Sequence, residues 1–262
     1  MSGPDDGKGN QVMMDSDKVA QSNGQLSTRR VVGYGIGDFA FNMTFTFCSL
    51  FLLYFYTDVL GLSATTAGLI IMVALIWEGI TDPIIGIVAN RTRSRWGRYR
   101  PYILLGCLPL GLAFVAMFVP VDLTGTALAA YAFGTHLLFR LVYALVNIPY
   151  IALSAQMTRD SMARGRLAGS RMIFAITCGL TLAAISLPLV AALAGGRQGF
   201  FGLSIVYAIV AVAILLLCFA STSEADAATD HRHPTVGEML RAVRTNKPFL
   251  LLLGATVCGS VG

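Results

Sequence analysis

Residues 77–101 read WEGITDPIIGIVANRTRSRWGRYRP. The first half lies inside a long apolar run, yet it carries Glu78 and Asp82. Four residues apart on a helix, two carboxyls share one face. The second half crowds Arg91, Arg93, Arg95, Arg98 and Arg100 around Trp96 and Gly97. Ionisable groups are costly in an apolar helix, and inside a membrane they mark an ion or substrate path by default. This stretch therefore predicts a membrane helix that carries a functional acid pair and ends in a dense basic loop.

The rest of the chain agrees. Hydrophobic residues make up 55% of it and charged residues 13%, and its mean hydropathy is +0.69. A soluble domain would carry roughly a quarter charged residues. The apolar residues come in runs of about 20 or more, enough for a helix to cross a hydrocarbon core of about 30 Å. The fold class is an all-α, multi-pass membrane protein. Spans are predicted near 32–57, 64–90, 101–120, 125–153, 167–194 and 199–220.

The net charge of +5 does not indicate nucleic acid, because the basic residues track the loops. Lys8, Lys18, Arg29 and Arg30 precede the first span. The five arginines above follow the second span, and Arg159, Arg164 and Arg166 follow the fourth. Arg232, Arg241, Arg244 and Lys247 follow the sixth. Sixteen of the nineteen Lys and Arg thus fall on one side. Arg197 alone lies in an opposite loop, and Arg140 and Arg171 fall within spans. The positive-inside rule then predicts a cytoplasmic N-terminus in the cell's inner (plasma) membrane.

Four segments follow from this pattern. Residues 1–28 are polar, lack the apolar core of a signal peptide, and read as a disordered cytoplasmic tail. Residues 29–220 form a six-helix bundle. Residues 221–247 form a cytoplasmic link, in which Thr235 and Glu238 make a capping box and Val236, Met239, Leu240 and Val243 share one helical face. Residues 248–262 read as the start of a seventh span, too short to cross, so the chain is expected to be truncated. The five cysteines sit singly in apolar stretches, without CxxC or Cys/His spacing. Disulfides, zinc and organic cofactors are not expected. Nothing resembles a nucleophile–base pair, so the chain does not read as an enzyme.

Several other polar residues stand in the spans. Gly33 and Gly37 allow a neighbouring helix to approach closely. Asp38 and Asn42 share a face, and Asp38 is placed to pair with a loop arginine. Pro83 follows Asp82 and disturbs the backbone ladder at Gly79, which leaves oxygen ligands near two acids. Arg140 is an available partner for Glu78, so a structural salt bridge stands against the ion-site reading there. Tyr143, Asn147 and Tyr150 follow i, i+4, i+7 spacing and offer the rings and amide that a sugar needs. Arg171 requires a partner: a substrate hydroxyl, a substrate carboxylate or a membrane acid. His136 reads as a packed or hydrogen-bonded residue.

The stretches YGIGDF, YFYTDVLGLS, WEGITDPIIGIVANRTRSRWGRYRP, LVNIPY and RGRLAGSRMIF occur in this order over residues 30–220. Together they resemble the glycoside–pentoside–hexuronide:cation symporters of the major facilitator superfamily. The resemblance implies two helix bundles, a central sugar site and alternating access, with this chain as the N-terminal bundle and a C-terminal bundle missing. It implies that Glu78 and Asp82 serve the coupling cation, a proton or Na+, with Thr81 as a polar neighbour. It also implies sugar contacts at Asn42, Tyr143, Asn147 and Arg171. There are departures from the family's best-known member. Glu78 replaces an aspartate, and Ala144 stands where that protein has a hydroxyl beside sodium; both changes favour a proton. Ile151 replaces a tryptophan that packs on a galactosyl ring, and Asn42 and Asn147 replace aspartates, so galactoside specificity does not transfer. The function implied is cation-coupled symport of a sugar or glycoside. The alternatives are a same-fold transporter of a lipid-like or other solute, and a half-length membrane subunit without transport of its own.

Overall fold

The computed structural model describes residues 27–158 and 160–223. The N-terminal tail, the link after the sixth span and the seventh apolar stretch lie outside the described residues. Six helices run through the described part: α1 (Thr28–Tyr54), α2 (Ala64–Arg91), α3 (Arg100–Ala116), α4 (Gly125–Met157), α5 (Ser161–Ala192) and α6 (Gly196–Ser221). A short π-helical segment, Phe55–Val59, extends α1. Five of the six are long and apolar enough to cross a membrane.

Polar caps set where several helices start. Ser27 accepts the Arg30 N–H at the head of α1, and Ser63 accepts the Thr66 N–H at the head of α2. Asp160 accepts from Met162 and Ala163 and starts α5 at Ser161, six residues before the apolar pattern begins. Such caps satisfy N–H groups that have no partner within the helix. α3 is the shortest of the six. It ends at Ala116 and is 17 residues long, about 26 Å, which is short for a spanning helix. Pro83, Pro109, Pro149 and Pro188 all lie inside continuous helices. Neighbouring helices and side chains make this tolerable in membrane spans.

α1 packs along α5 and α6, α6 along α3, α3 along α4, and α4 along α2. α2 and α5 thus end the series, and they bury the smallest share of their apolar windows. Lipid tails are as apolar as leucine, so close packing rather than water exclusion holds such helices together. Glycines make the close approaches on α1. A Cβ on Gly33 would meet Ser221, and one on Gly35 would meet Ser170. At Gly37 a Cβ would lie 2.8 Å from the Tyr150 ring and 2.9 Å from Cys218 Sγ. Gly33 and Gly37 are therefore the contact points with α6, as their spacing predicts. At the far end of the bundle Phe47 packs on Phe114, Phe118, Phe200 and Tyr207, which joins α1, α3 and α6. The four described cysteines are buried and free.

Arginines finish both ends. At the arginine-rich end, Arg100 Nη2 donates to the Phe219 carbonyl at 2.8 Å and its guanidinium lies 4.3 Å over the Phe219 ring. A cation at a helix C-terminus meets the negative end of the helix dipole. Arg95 stacks on Trp96 at 4.3 Å. At the other end, Arg197 donates to the carbonyls of Val59 and Val121. Arg197, read from the sequence as a loop residue, lies in the first turn of α6 and clamps two backbone carbonyls.

The α1 glycines give a test by contrast. Gly37→Ala forces its Cβ against the buried Tyr150 ring, and overpacking of this kind costs about 1–3 kcal/mol. Gly134→Ala meets nothing within 4 Å. In a thermal unfolding assay of purified protein, the first is expected to lower the midpoint by several degrees and the second to leave it unchanged or raise it.

Candidate functional site

Two ion pairs cross the middle of the bundle. In the first, Arg140 on α4 donates from Nη1 to Glu78 Oε2 on α2 at 2.5 Å. Two other groups fix the guanidinium. Its Nε donates to His136 Nε2 at 3.3 Å, and its Cζ lies 5.0 Å from the centre of the Phe45 ring on α1. Since arginine only donates, His136 accepts at Nε2 and carries its proton on Nδ1. That Nδ1 is buried and has no hydrogen-bond partner among the described residues.

In the second pair, Arg171 on α5 donates from Nε to Asp38 Oδ1 on α1 at 3.0 Å. Asp38 therefore pairs with a helix arginine, not with the loop arginine its position suggested. A membrane acid is what satisfies Arg171. The Arg171 guanidinium also lies 5.3 Å over the Tyr150 ring. Tyr34 and Tyr150 stack at 4.6 Å, and each phenol donates to the other's backbone carbonyl, at 3.0 and 2.7 Å. This reciprocal lock ties α1 to α4 beside the ion pair.

Between the pairs stands Tyr143. It is buried against Phe41, Phe45 and Phe139, and lies within electrostatic reach of Asp38, Glu78, Arg140 and Arg171. The α4 stripe of Tyr143, Asn147 and Tyr150 thus divides by role: Tyr150 is locked in packing, and Tyr143 sits among the charges. Asn147 is half-buried and makes no hydrogen bond among the described residues. Asn42 donates from Nδ2 to the Asp38 carbonyl at 2.9 Å and accepts from Thr46 at 3.4 Å. Thr81 is buried and turns its hydroxyl onto the Trp77 and Glu78 carbonyls of its own helix, at 3.0 and 3.3 Å.

Asp82 is the exception. It lies one turn after Glu78 on α2, within electrostatic reach of Glu78 and Arg140. Its Oδ1 is buried and has no hydrogen-bond partner among the described residues. Three acids, Asp38, Glu78 and Asp82, thus face two bases, Arg140 and Arg171. The unmatched charge belongs to Asp82. A buried carboxyl oxygen without a partner is expensive, and a cation or proton would satisfy it.

Tyr34 and Phe45 were not singled out by the sequence pattern. The signal for Tyr34 was present, since Tyr34, Asp38 and Asn42 recur every four residues along one face of α1. Phe45 carries no comparable mark, because one phenylalanine among many on α1 is indistinguishable from packing.

Comparison with known proteins places this arrangement. A family model of MFS/sugar transport proteins matches residues 33–262. The chain belongs to the glycoside–pentoside–hexuronide:cation symporters of the major facilitator superfamily. It is 38% identical to the inner membrane symporter YicJ of Escherichia coli strain K12, over 76% of this chain and 44% of that protein. It is 34% identical to the glucuronide carrier protein homolog of the same strain, over 89% of this chain and 52% of that protein. The isoprimeverose transporter of Lactiplantibacillus pentosus is 29% identical, over 84% and 47%. The chain spans about half the length of these symporters. Like them it is an integral membrane protein built of apolar helices.

The Asp38–Arg171 pair yields a direct test. Removing one partner strands the other charge, whereas removing both does not. In a double-mutant cycle, Asp38→Asn and Arg171→Met are each expected to lower stability more than the combined variant does per site. The coupling should be about 1–3 kcal/mol by thermal unfolding. Additive effects would show that the two side chains do not interact.

Proposed function

We propose that the full-length protein is a symporter of the plasma membrane, its N-terminus cytoplasmic, which moves a sugar or glycoside together with a cation. One observation carries the reading: Asp82 is the one carboxyl of the central cluster left without a base, beside a Glu78 already held by Arg140. A group that must be alternately loaded and emptied has to be free of a permanent partner. Asp82 meets that condition, and Glu78 supplies the neighbouring negative charge. Of the two coupling ions considered, a proton suits the site better than sodium. Ala144 offers no side-chain oxygen, and the Thr81 hydroxyl is turned onto its own helix.

The sugar contacts follow from the same availability. Asn147 has an uncommitted amide, and Arg171 spends only its Nε on Asp38, which leaves its remaining N–H groups for hydroxyls. Asn42 and Tyr143 complete a lining in which an aromatic body and polar tips suit the two faces of a sugar ring. We assign the missing wall to a second bundle, because the relatives are about twice as long as the stretch they share with this chain. Sugar and ion bound to one state of the cluster each tighten the other by the same factor.

The proposal is tested by transport in vesicles holding the full-length protein. Asp82→Asn is expected to abolish gradient-driven accumulation of labelled sugar while leaving sugar exchange across the membrane. Asn147→Ala is expected to weaken sugar binding by roughly tenfold, the loss of about one hydrogen bond. Accumulation by Asp82→Asn at the wild-type level would contradict the coupling assignment.

A further inference from the structure

We propose that Arg140 is a specificity-determining residue: seated on Glu78, it is a tethered cation that holds half of the acid pair and bars sodium from it. The inference rests on the reading of Glu78 and Asp82 as the coupling site, and it adds a reason for one ion to be refused there.

The guanidinium is built into place. Its Nη1 binds Glu78 Oε2, its Nε binds His136, and the Phe45 ring lies beneath it. With a side chain 9% exposed, it does not swing out to water to make room for an ion. Three rotatable contacts on two other helices and its own would have to break together.

The oxygens that remain do not form a metal shell. A hard cation is held by several oxygen ligands at once. Here one Glu78 oxygen is already taken by the arginine. Thr81 directs its hydroxyl to the Trp77 and Glu78 carbonyls. Ala144, on the helix facing the pair, has no side-chain oxygen to give. His136 carries its proton on the second ring nitrogen, so that nitrogen is no ligand for a cation. What remains is Asp82, the second Glu78 oxygen and the Gly79 carbonyl that Pro83 leaves without an N–H, an incomplete shell.

Charge decides in the same direction. Glu78 and Arg140 sum to zero, so the pair presents one negative charge instead of two. A sodium ion drawn to Glu78 would sit beside a fixed guanidinium in a medium that screens poorly. A bland structural role accounts for less. An ion pair in apolar surroundings is weak evidence for stability, because apolar residues of the same volume often serve as well. The position of Arg140 on the acid pair is better explained by what it excludes.

The test is sodium binding to the purified full-length protein, with sodium alone as the probe and choline as the replacement cation. Wild type is expected to show no saturable sodium binding. Arg140→Gln leaves both acids unpaired and is expected to gain saturable sodium binding. Arg140→Lys keeps the tethered charge, and Glu78→Gln/Arg140→Gln removes one acid with it; both are expected to remain blind to sodium. Saturable sodium binding by wild type, by Arg140→Lys or by Glu78→Gln/Arg140→Gln overturns the proposal. So does a folded Arg140→Gln that binds sodium no better than wild type. If Arg140→Gln does not yield folded protein, the wild-type and Arg140→Lys titrations decide the matter alone. Failure of the underlying reading looks different: Asp82→Asn would then accumulate sugar normally, whatever sodium does at Arg140.

Discussion

A charge inside an apolar helix bundle must find its opposite, and most of this structure follows from how five such charges are placed. Arg140 reaches Glu78 from α4 to α2, and Arg171 reaches Asp38 from α5 to α1. Each pair therefore bolts together two helices that are not neighbours in the chain. α1, α2, α4 and α5 are the helices so joined, while α3 and α6 pack behind them on α1 and α4. Within the central cluster the arrangement leaves one carboxyl, Asp82, without a base.

The same constraint explains the close packing around the pairs. Side-chain reach is limited, so the Asp38–Arg171 bond at 3.0 Å requires α1 and α5 to approach tightly, which Gly35 against Ser170 allows. The Tyr34–Tyr150 lock requires α1 and α4 to meet, which Gly37 under the Tyr150 ring allows. Aromatic rings fill the space between the charges, and two of them, Phe45 and Tyr150, also face guanidinium groups. Such faces stabilise a cation without a hydrogen bond.

Much of this was legible in residue order. Apolar runs located all six helices, because a membrane span is long and its signal is strong. Glu78, Asp82, Arg140 and Arg171 stood out as soon as the spans were drawn, since a charge there is unusual whatever its partner. The pairing of Arg140 with Glu78 was foreseeable as one of two outcomes, and it forms. Other features were not legible. The partner of Asp38 depends on which helices touch, and apolar patterning is silent on that. The early start of α5 at Ser161 follows from the Asp160 cap, whose signal is local and lies outside the apolar run. The shortness of α3 follows from its last turn, where Met117 and Phe118 bond back three residues instead of four. Tyr150 looked like a sugar contact by spacing, yet its hydroxyl is committed to Tyr34.

The central claim is that one unpaired carboxyl beside two settled ion pairs links ion binding to sugar binding. The most direct measurement is sugar affinity of the purified full-length protein, titrated at low and at saturating concentrations of the coupling ion. The account predicts that the ion tightens sugar binding, and that sugar tightens ion binding by an equal factor. Sugar affinity that is the same at both ion concentrations would contradict it.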